Sequence, residues 1–184
     1  MTRTTYFTAM TLDGFIADEH DSLEWLFVQN QRKDPSHRFG YETFIADIGA
    51  IVMGRTTYEW VVAHLAKTGE NWPYDMPAWV MTNADLEALA GADITFSRGD
   101  VRPVHAAMVE AAAGKDLWIV GGGDLVGQFA DAGLLDEIIA QIAPVTLGAG
   151  RPFLPRRLAL RLEETEQNAD FVAAQFSVVG PLST

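Results

Sequence analysis

Two stretches of the sequence decide its fold class: Ile51-Val52-Met53-Gly54-Arg55-Thr56-Thr57 and Leu117-Trp118-Ile119-Val120-Gly121-Gly122-Gly123-Asp124. Each begins as an apolar run typical of a buried strand, and each passes through glycine into a pattern typical of a helix. In α/β proteins such junctions bind phosphorylated ligands, because the helix N-terminus offers free amide groups and the positive end of a dipole. The two stretches therefore predict an anion site at one edge of an α/β sheet.

Strand and helix patterns alternate along most of the chain. The predicted strands of this region are residues 4–12, 15–17, 50–53, 78–82, 94–97, 117–120 and 136–142. The predicted helices are residues 56–66, 103–113 and 124–132, and an earlier one that Ser36 caps and Gly49 ends. Apolar side chains recur at helical spacing in that earlier helix, at Phe39, Phe44, Ile45 and Ile48. This alternation predicts a mainly parallel sheet covered by helices.

The C-terminal region breaks the alternation. Residues 158–165 and 171–179 both have strand patterns, and only the short polar segment 166–170 separates them. They should pair antiparallel and close one edge of the sheet. The apolar residues of 171–179 also make this segment a candidate interface for a homodimer.

Length and composition limit the classes of function. A chain of 184 residues suits one domain, residues 1–184, that buries roughly 70% of the surface its unfolded form exposes. The net charge is -12 and no basic stripe is present, so nucleic acid is not an expected partner. The chain has no cysteine, which fits a reducing compartment. Asp13 interrupts the N-terminal apolar run and no run of 18 apolar residues occurs, so we expect a cytoplasmic protein without a membrane partner.

Several familiar site motifs are absent from the sequence. It has neither Gly-x-Gly-x-x-Gly nor Gly-x-x-x-x-Gly-Lys-Ser/Thr, and it has no Gly-x-Ser-x-Gly nucleophile elbow. The four histidines are scattered and form no His-Glu-x-x-His pair, and the acidic residues lack calcium-loop spacing. We therefore predict no metal site and treat the acidic residues mostly as a solvated surface.

The remaining chemistry lies in the two opening stretches. Gly54 allows close approach of a ligand, Arg55 offers a planar fork for phosphate, and Thr56 and Thr57 add donors at a helix start. The alternative for this segment is a glycine turn, a surface arginine and a helix cap. The triple glycine 121–123 permits close approach to a pyrophosphate at the next helix start, and its alternative is a plain flexible turn. The carboxylate of Asp124 is unfavourable beside an anion, so from the residues alone we expect it to cap the helix.

Five segments together resemble a known superfamily. Ile51-Val52-Met53-Gly54-Arg55-Thr56-Thr57-Tyr58, Trp118-Ile119-Val120-Gly121-Gly122-Gly123 and Gln128-Phe129 resemble the dihydrofolate reductase superfamily. Thr11-Leu12-Asp13-Gly14-Phe15-Ile16-Ala17 and Pro144-Val145-Thr146-Leu147-Gly148-Ala149-Gly150-Arg151-Pro152-Phe153 resemble its branch built like the C-terminal reductase domain of bacterial riboflavin biosynthesis. The resemblance implies a three-layer α/β fold with an eight-stranded, mostly parallel sheet, an antiparallel C-terminal strand, and NADPH at the carboxyl edge.

The resemblance also implies roles for individual residues. Arg55 would face the adenosine 2'-phosphate, Thr56 and Thr57 the phosphates, and Thr82 the adenosine. Gly121, Gly122 and Gly123 would form the pyrophosphate turn, with a cis bond between the first two. The remaining cofactor residues implied are Gly54, Asp124 and Leu125 near the phosphates, and Ala9 and Ile16 beside the nicotinamide.

Asp13, Leu147 and Gly148 are the implied substrate residues. In the riboflavin-type branch the aspartate that matches Asp13 lies beside the substrate, whereas the residue pattern alone also fits an Asp-Gly turn. Dihydrofolate reductases use a carboxylate on the helix before the Gly-Arg-Thr segment. Here Glu42 and Asp47 do not match that place, and Arg38 lies nearer, so the proton donor stays unassigned.

These observations predict an NADPH-dependent oxidoreductase. The expected reaction is hydride transfer to a small heterocyclic substrate, pterin-like or aminopyrimidine-like, as in dihydrofolate reductase or 5-amino-6-(5-phosphoribosylamino)uracil reductase. Few basic residues besides Arg55 are available for a second phosphate, which leaves the substrate open. The ring could lie against flat side chains, for which the candidates are Trp25, Trp72, Tyr74 and Trp79. Two alternatives are a nucleotide-binding regulatory protein without turnover and an acidic scaffold that binds no nucleotide.

Overall fold

An eight-stranded sheet forms the centre of the computed structural model, which describes residues 2–30 and 37–182. The strands are β1 (Thr4–Thr11), β2 (Phe15–Ala17), β3 (Ile48–Gly54), β4 (Ala78–Met81), β5 (Ile94–Ser97), β6 (Asp116–Gly121), β7 (Glu137–Ala143), β8 (Arg151–Pro152), β9 (Leu158–Asn168) and β10 (Phe171–Pro181). The helices are α1 (Glu24–Phe27), α2 (Tyr41–Ala46), α3 (Arg55–Thr68), α4 (Val101–Ala111) and α5 (Gly123–Asp131).

The order of strands in the large sheet is β5-β4-β3-β6-β1-β7-β10-β9. Neighbours from β5 to β7 pair in parallel, whereas β10 runs antiparallel to both β7 and β9. Strands β2 and β8 form a separate two-stranded sheet. The predicted α/β class, the eight strands and the antiparallel C-terminal strand are confirmed.

Successive strand residues point to opposite sides of the sheet, so both faces carry apolar side chains. Helices cover both faces. On one face, α4 and α5 pack against Tyr6, Val52 and Ile119. On the other, α3 and the region around α2 pack against a second set that includes Ile51 and Met53. Residues 51–53 are completely buried, which explains why this strand has no polar side chain.

The helix predicted before Gly49 is present as α2, but its predicted end at Gly49 is wrong. Helix α2 ends at Ala46, and Ile48 and Gly49 already belong to β3. A Cβ atom on Gly49 would lie 2.5 Å from the carbonyl oxygen of Ala112, so this glycine allows the end of α4 to pass close to β3. Gly49 therefore allows close packing between β3 and the end of α4. In the sequence alone, such a glycine cannot be distinguished from one that ends a helix. The predicted cap Ser36 lies outside the described residues.

The C-terminal strands form the predicted antiparallel pair, and their turn is shorter than the sequence indicated. Only residues 169–170 separate β9 from β10. The strand pair exposes Leu160, Leu162 and Val179, but homodimer formation stays a prediction. Among the described helices, none is long and apolar enough to cross a membrane.

Candidate functional site

A cleft of about 820 Å³ lies at the carboxyl ends of the central strands. Both glycine junctions of the sequence, after β3 and after β6, line it. In open α/β sheets, ligands bind in the crevice at this edge because the strand ends and helix N-termini converge there. The residues of the predicted cofactor site that line the cleft are Ala9, Ile16, Gly54, Arg55, Thr56, Thr57, Gly121, Gly122, Gly123, Asp124 and Leu125.

The first junction presents an uncapped helix start. Gly54 occupies the N-cap position of α3 and no side chain caps the helix, so side chains leave its first amide groups available to an anion. Arg55 begins the helix, and its Nε donates a hydrogen bond of 2.8 Å to Glu59 Oε1. The Arg55 side chain is about half exposed, at 54%. A cation and free amides therefore lie together at this end of the cleft.

The second junction repeats this arrangement beside the first. Gly122 is the N-cap of α5, again without a side-chain cap, and the bond between Gly121 and Gly122 is cis, as the resemblance implied. A Cβ atom on Gly54 would lie 3.7 Å from the carbonyl oxygen of Gly121, so the two glycine turns are neighbours. Two helix N-termini thus face the same region of the cleft, which concentrates positive potential there.

The Asp124 carboxylate is neutralised by partners on the surface. Its oxygens accept hydrogen bonds from Gln128 Nε2 at 3.0 Å and from Arg156 Nη2 at 3.2 Å. Asp124 does not cap α5, so the alternative role suggested by the sequence is wrong. Its pairing with Arg156 reduces the repulsion that this carboxylate would exert on a bound phosphate.

Thr82 lies outside the cleft lining, although the residue before it, Met81, is part of that lining. The Thr82 side chain is buried, and its Oγ1 accepts a hydrogen bond of 3.0 Å from the backbone amide of Ala84. This bond holds the turn after β4. A contact between Thr82 and a bound adenosine stays a prediction.

Asp13, Leu147 and Gly148 are brought together beside the cleft, outside its lining. The Asp13 carboxylate accepts hydrogen bonds from the amides of Leu147 at 3.0 Å and Gly148 at 2.7 Å, and from Thr11 Oγ1. Gly14 has a φ of 89° and completes the Asp-Gly turn that the sequence offered. Asp13 therefore joins the loop after β1 to the loop after β7, and a direct substrate contact stays a prediction.

Hydrogen bonding stabilises the charged form of Asp13. The Thr11 hydroxyl, followed by the amides of Gly148 and Leu147, lowers the pKa of this carboxyl from its ordinary value of 3.8 against the opposing effect of desolvation. Because the folded pKa is below the unfolded pKa, the stabilisation is fully present above about pH 4 and is lost as the pH falls through the folded value.

We therefore expect Asp13→Asn to be less stable than the wild type at pH 7, with a difference that shrinks below about pH 4. Urea unfolding at pH 7 and pH 3 measures this difference. Asp75→Asn is the matched control, because Asp75 is exposed and makes no hydrogen bond among the described residues. A deficit of equal size at both pH values would contradict the role of the Asp13 charge.

Aromatic side chains form the other half of the cleft. Of the four candidates from the sequence, only Tyr74 lines it; Trp25, Trp72 and Trp79 do not. Sequence reasoning missed Trp118, Tyr41 and Gln141, which do. The sequence did carry a signal for Trp118. Residues at alternate positions of a strand share a face, so Trp118 lies on the same face of β6 as Val120, which also lines the cleft.

The carboxylates considered as proton donors lie elsewhere. Glu42 and Asp47 do not line the cleft, and neither does Arg38, whose Nη1 contacts Glu164 Oε2 of β9 at 2.5 Å. Among the described lining residues, the only carboxylates are Asp21 and Asp124.

Asp21 closes one wall of the cleft through a bidentate ion pair. Arg151 Nε and Nη2 donate to its two oxygens at 2.6 Å and 2.9 Å. This pair joins the segment after β2 to β8, and it holds the pKa of the Arg151 guanidinium above its ordinary value. Asp21 and Arg151 are therefore committed to each other at the cleft rim.

Comparison with known proteins identifies relatives along nearly the whole chain. The uncharacterised protein YwjB of Bacillus subtilis strain 168 is 31% identical over 169 residues, which cover 90% of this chain and 91% of YwjB. A protein of Shewanella sp. PV-4, assigned provisionally to riboflavin biosynthesis, has a similar structure with a TM-score of 0.80. It is 24% identical, over 96% of this chain and 99% of that one.

A dihydrofolate reductase shares the fold at lower similarity. The Enterococcus faecalis enzyme, complexed with NADP(H) and RAB-propyl, has a TM-score of 0.54 and 14% identity over 96% of each chain. The sequence profile described as RibD C-terminal domain matches residues 72–172, which is just over half of this chain. The chain therefore belongs to the RibD C-terminal domain family and has a dihydrofolate reductase-like fold.

Proposed function

We propose that this protein is an NADPH-dependent reductase that transfers a hydride to a small heterocyclic substrate. The observation that carries the proposal is the pair of uncapped helix N-termini, at Gly54 and Gly122, beside the guanidinium of Arg55. This donor set suits a dinucleotide with an additional phosphate. The reductase fold and the NADP(H) complex of the Enterococcus neighbour support it.

The residues of the cleft fit such a cofactor from one end to the other. The amides at the start of α3 and α5 would hold its phosphates, and Arg55 would hold the 2'-phosphate. Ala9 and Ile16 offer a small and an apolar surface for the nicotinamide ring. When bound, NADPH would supply the hydride. The chain would orient the two rings and exclude water, which are the usual contributions of a protein to hydride transfer.

A nucleotide-binding regulatory protein without turnover is the second candidate. It is favoured by one observation: no carboxylate among the described residues lies in the aromatic half of the cleft, where dihydrofolate reductases keep their catalytic acid. Such a protein would bind NADPH with the same residues. It would not oxidise NADPH with any ring substrate.

Calorimetric titration with NADPH and NADH, each in a separate experiment, tests the proposal. We expect micromolar binding of NADPH and clearly weaker binding of NADH, because only NADPH presents the phosphate suited to Arg55. Absorbance at 340 nm then reports oxidation of NADPH with pterin and aminopyrimidine compounds. Binding without oxidation would favour the regulatory protein, and absence of binding of either nucleotide would overturn both candidates.

A further inference from the structure

We call the aromatic half of the cleft the inner end. It is formed by β1, β6, β7, β9, β10 and the segments at Tyr41 and Tyr74. No charged side chain among the described residues lines it. The charged residues that line the rest of the cleft are Asp21, Arg55, Asp124 and Arg151, and each is in an ion pair. Among the residues that the structure describes, an ionic group on a ligand would therefore find no opposite charge at the inner end.

A fixed indole ring forms the centre of the inner end. Trp118 Nε1 donates a hydrogen bond of 3.0 Å to the carbonyl oxygen of Phe7, which sets the plane of the indole. The rings of Tyr41 and Tyr74 meet Trp118 edge-on, with centroid separations of 6.0 Å and 5.7 Å. Aromatic rings held in this way present flat, rigid surfaces to a ligand at little entropic cost.

The polar groups of the inner end are neutral. Neither the Tyr41 nor the Tyr74 hydroxyl makes a hydrogen bond among the described residues, although both side chains line the cleft. Burial raises the pKa of both tyrosines, assisted by Glu42 beside Tyr41 and by Tyr41 beside Tyr74, so both hydroxyls keep their protons at neutral pH. Each is therefore a hydrogen-bond donor for a ligand.

The amide of Gln141 is held in place beside these rings. Its Nε2 donates to the carbonyl oxygen of Phe39 at 2.8 Å, and Asn168 Nδ2 lies 3.4 Å from its Oε1. A buried amide anchored on both sides keeps a defined orientation. One N–H of Gln141 Nε2 remains for a further acceptor, because the amide nitrogen carries two.

We infer that the inner end binds an uncharged planar ring that carries carbonyl acceptors and no phosphate, with Tyr41, Tyr74 and Gln141 donating to those carbonyls. This inference rests on the reductase proposal, since the ring is the acceptor of the hydride. A phosphate would lose its hydration at the inner end, and no cation among the described residues that line this end would replace it. A protonated ring would equally lack a carboxylate partner in the described part of this lining.

The test compares ring compounds that differ only in a phosphate. The first pair is 5-amino-6-(5-phosphoribosylamino)uracil and its form without the phosphate; the second is FMN and riboflavin. Each is titrated calorimetrically into protein saturated with NADPH. For at least one pair, we expect the compound without phosphate to bind as tightly as its partner or more tightly.

Single hydroxyl deletions then test the donors. Tyr41→Phe and Tyr74→Phe should each weaken binding of the neutral ring about twofold to tenfold, the usual effect of one neutral hydrogen bond. NADPH binding should not change. Tyr58→Phe is the matched control, because the Tyr58 hydroxyl donates to the carbonyl oxygen of Glu87 at 2.8 Å and does not line the cleft.

The outcomes distinguish a failure of this inference from a failure of the reductase proposal on which it rests. Absence of NADPH binding overturns the reductase proposal and the inference with it. With NADPH bound, tighter binding of the phosphorylated member of both pairs, or no binding of any of the four compounds, overturns the inference alone. Equal effects of Tyr74→Phe and Tyr58→Phe on ring binding also overturn it.

Discussion

Gly123→Ala is expected to destabilise the fold and to weaken nucleotide binding together. A Cβ atom at Gly123 would lie 2.3 Å from the carbonyl oxygen of Pro152 and 2.5 Å from that of Phe153. Both obstacles are backbone atoms, so no side chain can rotate to make room. The first turn of α5 would have to move away from β8, and overpacking of this kind typically costs about 1–3 kcal/mol.

Urea unfolding and NADPH titration of the same variant measure the two effects. Gly54→Ala is the control for stability, because its Cβ would make only ordinary contacts, 3.7 Å from Gly121 O and 3.8 Å from Gly122 N. Its unfolding free energy should fall by less than that of Gly123→Ala, because only the preference of the N-cap position for glycine over alanine is lost. Equal stability of Gly123→Ala and the wild type would show that the approach of β8 to α5 is not a tight contact.

A second close approach supports the importance of β8 for the cleft wall. Gly150 has a φ of 154°, and a Cβ atom there would lie 2.2 Å from the carbonyl oxygen of Ala17. Glycines thus allow the segment around β8 to lie against both β2 and α5. The bidentate pair of Arg151 with Asp21 adds a polar link at the same place. One wall of the cleft therefore depends on two positions that accept only glycine without rearrangement.

Local patterns in the sequence were sufficient for the sheet and for the two helix starts that line the cleft. The strand at residues 51–53 is entirely buried, so its apolar run was unambiguous. The helix starts after Gly54 and Gly122 were predictable from each glycine and from the helical periodicity of the residues that follow it. Gly49 shows the limit of such local patterns. Glycine is needed there because Ala112, a residue distant in the sequence, approaches the backbone closely.

Of the inner end, only Tyr74 was among the candidates from the sequence. The polar and aromatic groups of this end come from elements that are far apart in the chain, and only the strand order brings Tyr74, Trp118 and Gln141 together. Each of these residues has an ordinary local explanation as a loop aromatic or a strand residue. The sequence likewise gave no indication that Thr82 would turn its hydroxyl toward the amide of Ala84.

Arg55→Ala is expected to remove most of the preference for NADPH over NADH. Among the described residues, Arg55 is the only arginine that lines the cleft at the start of α3. A charge-assisted hydrogen bond from its guanidinium to a phosphate contributes about 1.5–3 kcal/mol. The dissociation constant of NADPH should therefore rise by about one to two orders of magnitude, while that of NADH changes little. Calorimetric titration of both nucleotides gives the two numbers.

Two matched variants determine whether the Arg55 effect is local. Arg102→Ala removes the same charge from α4, where Arg102 Nη1 pairs with Asp100 Oδ2 at 3.1 Å outside the cleft, so it should leave NADPH binding nearly unchanged. Glu59→Gln removes the ionic partner of Arg55 without removing the guanidinium, so NADPH should bind at least as tightly as to the wild type. Equal losses for NADPH and NADH in Arg55→Ala would contradict a 2'-phosphate contact. Equal losses in Arg55→Ala and Arg102→Ala would instead assign the effect to the overall field of an already acidic protein.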